Sequence, residues 1–169
     1  MGYFEDINNL IEERLKYYQT NTKEIARDYT IEKSTKEEYD GRQLLEMLQN
    51  VDDTGSPKVK IEWDKNAKKL AISNYGEAFS VNGIESLMRS HSSPKNKEDF
   101  IGNKGLGFRS LLIWASRIDI FANDCKISFS QNIAESVFND KLSLSAEAKN
   151  VVKKQSKVLV NVIPFPVLA

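Results

Sequence analysis

The nine residues from Gly102 to Ser110, GNKGLGFRS, constrain this chain more than any other stretch. They hold three of its eight glycines, between a polar segment and the apolar run LLIWA at 111–115. A glycine gives up more backbone entropy on folding than any other residue, so a packed element collects them only where bare backbone is needed. An anion supplies that need. Glycines let amide N–H groups converge on phosphate oxygens, and the start of a helix adds the positive end of its dipole. The segment reads as a nucleotide phosphate site. A P-loop does not fit, because Gly107 is followed by Phe108 and Arg109 where Lys and Ser/Thr are required. GLGFRS also has the spacing of a dinucleotide-binding turn, with Ser110 at the third glycine position and Asp124 downstream. That turn follows a buried parallel strand, and SHSSPKNKEDFI at 90–101 is too polar to be one.

At 169 residues the chain is long enough to bury a core. Lys+Arg and Asp+Glu balance at 24 each, so no global field points to nucleic acid or a membrane surface. Cys125 is the single cysteine and His91 the single histidine, which excludes an internal disulfide and argues against a Cys/His metal site. No apolar run approaches the roughly 20 residues that span a bilayer, and MGYFEDINN lacks the regions of a signal peptide. A soluble, cytoplasmic protein is expected.

Spaced apolar residues from Phe4 to about Tyr29 predict one or two amphipathic helices, an N-terminal helical arm over residues 1–36. A second helix is expected over roughly Glu37 to Asp53. Along it Glu46, Gln49, Asn50 and Asp53 share one face, while Leu44, Leu45, Leu48 and Val51 form the opposing apolar side. VKIEWD and LAIS alternate as the strands of a hairpin, followed by the loop NYGEAFS and a short helix near Gly83 to Arg89 that Ser80 or Asn82 could cap. A short buried helix through Trp114, strands near Arg117 to Asn123 and Lys126 to Ser130, and a late strand VLVNVI complete the pattern. The apolar end PFPVLA lacks the polar residues of a natural terminus, so the domain is expected to continue past Ala169.

Taken alone, the Glu46/Asn50/Asp53 stripe is what any solvated helix face looks like. Its functional reading is that Glu46 deprotonates a water while Asn50 offers an oxygen to Mg²⁺, an ion commonly shared between a few protein oxygens and phosphates. Asn74 and Gly76 make an ordinary strand-ending turn. In a nucleotide site the Asn amide would instead pair with adenine, and Gly76 would let the base lie against backbone. Lys95 and Lys104 read as solvated loop charges or as partial neutralisation of a triphosphate.

In their order, these segments resemble the ATP-binding domain of the GHKL, or Bergerat-fold, superfamily, which includes gyrase, the ninety-kilodalton heat-shock chaperone, histidine kinases and MutL. LLEMLQNVDD is similar to the first box, LAISNYGEAF to the second and IGNKGLGFRSLL to the third, at the end of an ATP lid. YDGRQLLEMLQNVDD and the lid segment Ser92 to Lys95 look most like sacsin-type ATPase domains of large bacterial proteins. The resemblance covers about Tyr39 to Trp114. It implies an α/β two-layer sandwich over residues 37–169, with a mixed, mostly antiparallel sheet and helices on one face. It also implies ATP and Mg²⁺ as ligands, with Glu46 as general base and Asn50 as the metal ligand. Nucleotide contacts are then expected from Asp53, Asn74, Gly76, Lys95, Gly102, Lys104, Gly105, Leu106, Gly107 and Phe108. Lid closure would couple to homodimerisation or to downstream domains of a longer protein. Two departures stand out. Asn74 occupies the place where most of the superfamily has an adenine-reading aspartate, and no late-strand threonine matches the last box. A nucleotide-sensing module without turnover and a phosphotransferase of the histidine-kinase type are the rival readings. The presence of Glu46 disfavours the second.

Overall fold

A computed structural model describes residues 2–25, 27–28, 41–88, 106–123, 125–142, 146 and 166–168. The chain is α+β, with two small antiparallel sheets and five labelled helices among the described residues. Helix α1 runs Tyr3–Thr20 and ends at Asn21, whose N–H bonds back to the Tyr17 carbonyl. Residues 22–25 and 27–28 are again helical. The two pieces are clasped by a buried polar cluster. The Tyr18 hydroxyl donates to Asp28 Oδ2, and Arg14 Nη2 donates to the same oxygen at 2.9 Å and to Tyr18 Oη at 3.0 Å.

Helix α2, Gln43–Asp52, starts later than the expected Glu37, after Gly41 at φ +82°; residues 29–40 lie outside the described part. It stops where Gly55 takes φ +64°, a left-handed turn that glycine adopts without penalty. Strands β1, Val59–Asp64, and β2, Lys69–Asn74, form the expected hairpin, with Ile61 opposite Ile72 and Trp63 opposite Leu70. Asp64 Oδ1 holds the turn by accepting from the backbone of Asn66 and Ala67, each at 2.9 Å. Helix α3, Val81–Met88, is capped by Ser80, whose hydroxyl accepts from Gly83 N at 3.0 Å.

Helix α4, Leu106–Trp114, leads to β3, Arg117–Ala122, and β4, Cys125–Ser130, joined by a two-residue turn with Asn123 at φ +49°. Ser130 then caps α5, Gln131–Asp140, by accepting from Ile133 N at 3.2 Å. Strand β5, Pro166–Leu168, pairs antiparallel with β4 and was not expected. Its proline opens the strand, a position where the missing N–H is tolerated. The expected strand VLVNVI lies outside the described residues.

One core joins these elements. Ile7 and Ile11 of α1, Ile84, Leu87 and Met88 of α3, and Phe108 and Leu111 of α4 meet Ile120, Ile127 and Phe129 of the β3–β4 pair. The alternation along β3 and β4 sends Ile120, Ile127 and Phe129 to these helices and leaves Phe121 exposed. It leaves Arg117, Asp119 and Ser128 to a hydrogen-bonded cluster on the other set of positions. The single mixed sheet expected from the sequence is not what the described strands form. β1 pairs only with β2, and the order of the second sheet is β3-β4-β5. Alternation marks a strand but does not fix its neighbours, which depend on contacts distant in sequence. No helix of the described residues is long and apolar enough to cross a membrane.

Candidate functional site

Helix α2 carries the stripe of interest, and its orientation differs from the simple amphipathic expectation. Gln43 is fully buried and Met47 packs against the core, whereas Leu44 and Leu45 are exposed. At 100° per residue, the inward direction therefore runs through Gln43 and Met47. Glu46 and Asn50 lie on one flank of that direction and Leu44 and Val51 on the other. Glu46 and Asn50 are accordingly half-buried, as are Leu48 and Val51, while Asp53 at the end of the helix is exposed. Helix α2 packs on α4, the helix that begins at Leu106. The buried polar residues Gln43 on α2 and Ser110 on α4, both engaged in contacts, belong to these two helices.

The carboxylate of Glu46 and the amide of Asn50 make no hydrogen bond or ion pair among the described residues. They stand one helical turn apart, so both can address the same ligand. Asn50 offers a neutral oxygen. Among the described residues no three His, Cys, Asp or Glu side chains converge. A Mg²⁺ ion here would thus take few protein oxygens, with water and phosphate supplying the rest, which is how this small, reluctantly dehydrated cation is usually held.

The second-box loop is locked onto the end of the same helix. Thr54 closes α2, its hydroxyl donating to the Val51 carbonyl at 2.7 Å. Gly76 sits against it so closely that a Cβ would lie 2.4 Å from Thr54 Oγ1 and 2.7 Å from its carbonyl oxygen. Alongside, Ser56 Oγ accepts from Tyr75 N at 2.9 Å and donates to the Lys58 carbonyl at 2.7 Å. Asn74 is half-buried, and its Oδ1 accepts from Gly76 N at 3.1 Å. The bare side of Gly76 is thereby used by Thr54. The sequence reading gave it to a base.

Asn74 and Gly76 thus lie by the C-terminal end of α2, and Glu46 is about 10 Å further back along the axis at 1.5 Å per residue. Thr54 and Ser56, which fix this arrangement, were not singled out in the sequence. The signal was present as the turn TGSP, but a turn-forming composition does not say what the hydroxyls will hold.

Phe108, expected near the nucleotide, sends its side chain into the core, edge-on to Phe129 at 5.3 Å between ring centroids. What it can offer a ligand is backbone. Leu106 and Gly107 form the first turn of α4. Lys95, Gly102, Lys104 and Gly105 lie outside the described residues, as does the lid segment around them. No protein-family model matches the chain, and neither a curated protein nor a solved structure matches it.

Proposed function

We propose that this chain binds Mg-ATP along the flank of α2 that faces α4, in a Bergerat-type arrangement, and hydrolyses its γ-phosphate. One observation carries the reading. Segments far apart in sequence meet at α2: the helix carries the half-buried pair Glu46 and Asn50, the Asn74–Gly76 turn is wedged on Thr54 just past its end, and α4 packs against it. Glu46 and Asn50 are half-buried yet bond to no described residue, so their polar atoms are open to a ligand.

In this reading the base lies by Asn74 and the phosphates extend back along α2. Glu46 takes a proton from the attacking water, as a carboxylate within hydrogen-bond reach of it would. Amides at the start of α4 donate to the phosphate oxygens, where negative charge is favoured by the helix dipole. Asn50 Oδ1 would hold Mg²⁺, whose charge offsets that of the phosphates. Closure over the bound nucleotide, coupled to homodimerisation or to downstream domains, belongs to the same proposal.

Phosphate release and calorimetric binding of Mg-ATP test this on the wild type and Glu46→Gln. The expected result is retained binding with release reduced by ~10²-fold or more, the upper part of the range for loss of a general base. Absence of ATP binding refutes the site. Binding with release that Glu46→Gln does not change assigns the chain to sensing rather than turnover.

A further inference from the structure

The amide of Asn74 has a fixed orientation. A backbone N–H can face only the oxygen of a carboxamide, so the 3.1 Å contact from Gly76 N identifies the Oδ1 side. The opposite edge is Nδ2, a donor with two N–H groups and no acceptor among the described residues. Asn74 is half-buried, and its Nδ2 is not among the buried unpartnered atoms, so this donor edge is open to a ligand. Its cross-strand neighbour is Val59, and both Val59 and Ile61 on the same face of the hairpin are exposed. A flat ring laid on that apolar surface would present its edge to Nδ2.

Resting on the ATP reading above, we propose that Asn74 reads the purine edge through a donor, so that the site accepts 6-oxopurine nucleotides alongside 6-aminopurine ones. A donor needs an acceptor opposite. Adenine offers a ring nitrogen and a 6-oxopurine offers O6, and neither is penalised by Nδ2. A carboxylate in this place would do the reverse. It accepts from the adenine amine and sets lone pair against lone pair at O6. Asn74→Asp keeps the turn, because an aspartate oxygen accepts from Gly76 N as readily as Asn does. The substitution therefore changes the edge and leaves the scaffold.

The experiment is calorimetry with Mg-ATP and Mg-ITP, which differ in the purine only at the 6-position edge, on wild type, Asn74→Asp and Asn74→Ser, with thermal melts confirming that each variant folds. The wild type is expected to bind the two within tenfold of one another. Asn74→Asp should move the ratio toward ATP by at least tenfold, and Asn74→Ser, which loses Nδ2 but keeps a turn-forming oxygen, should weaken both by similar factors. A wild-type preference for ATP above tenfold, or a ratio that Asn74→Asp shifts by less than tenfold, overturns this inference and leaves ATP binding standing. Failure of the wild type to bind either nucleotide removes the ATP reading and this inference with it.

Discussion

Replacing Gly76 with alanine drives a methyl group into the end of α2. The new Cβ would lie 2.4 Å from Thr54 Oγ1, 2.7 Å from the Thr54 carbonyl oxygen and 3.0 Å from Thr54 Cβ. Rotating the hydroxyl relieves the first contact but breaks its 2.7 Å bond to the Val51 carbonyl. The second cannot be relieved by any rotamer, because the atom is backbone in the last turn of the helix. The loop must therefore retreat, stretching the Tyr75 N to Ser56 Oγ bond that ties it down. Overpacking of this kind costs ~1–3 kcal/mol, and a weakened hydrogen bond adds up to about 1. Alanine recovers about 0.4–1 kcal/mol by restricting the unfolded chain, leaving a net loss of about 2 kcal/mol. For a chain of this size each kcal/mol moves the melting temperature by ~2–4 °C, so Tm should fall by about 4–8 °C.

A double-mutant cycle isolates the contact. Thr54→Ala removes the hydroxyl but keeps the carbonyl and Cβ, so adding it to Gly76→Ala should restore only part of the loss, with a coupling of about 1 kcal/mol, as neighbouring sites show. Thermal and urea melts of the four proteins supply the numbers. Gly76→Ala melting within 1 °C of wild type, or losses that simply add, would refute the wedge between the two boxes.

Arg14→Met leaves Asp28 buried with one charged partner fewer and should cost about 3 kcal/mol in urea unfolding, whereas Arg14→Met with Asp28→Asn should cost clearly less, since no buried charge is stranded. The Asp119 carboxyl titrates below the usual range: partial burial disfavours its charge, but the hydrogen bonds from Ser128 and Arg117 and the charges of Arg117 and Lys126 outweigh that. Its stabilising contribution is therefore present above the unfolded value of about 3.9 and is lost as pH falls through the lower folded value. Arg117→Gln should make the urea midpoint less sensitive to acid below about pH 4; an unchanged acid limb would show that the cluster carries no linkage.

Local patterns in this sequence were readable where the physics is local. Val59, Ile61 and Trp63 alternate, and a hairpin forms there; Ser80 stands before the helix it was expected to cap, and its hydroxyl accepts from Gly83 N. What the sequence left undecided depends on partners far along the chain. Alternation could not tell that, among the described strands, β1 and β2 would pair only with each other, or that three residues opening with Pro166 would join β4. The Glu46/Asn50 spacing was visible, but its direction was not. Leu44 and Leu45 made the opposite side look like the buried one, whereas Gln43 is the buried residue and Met47 packs on the core.

That reversal bears on the site more than the motif spacing does. On an amphipathic helix docked by its leucines, Glu46 and Asn50 would face water, and a carboxylate four residues from an amide would be unremarkable. With Gln43 buried, the same two residues are carried to the rim of a helix pair, within a turn of each other and on the helix that Thr54 joins to the Asn74–Gly76 turn. Partial burial also changes what they can do: a group with fewer competing waters binds a phosphate-bound cation or a single water more selectively. The arrangement costs α2 part of its hydrophobic anchoring, since Leu45 remains more than half exposed. On the proposed reading α2 gives up apolar burial for a nucleotide site, and replacing Asn50 with leucine should therefore raise Tm while abolishing Mg-ATP binding. A variant that is destabilised yet still binds would show that Asn50 serves packing alone.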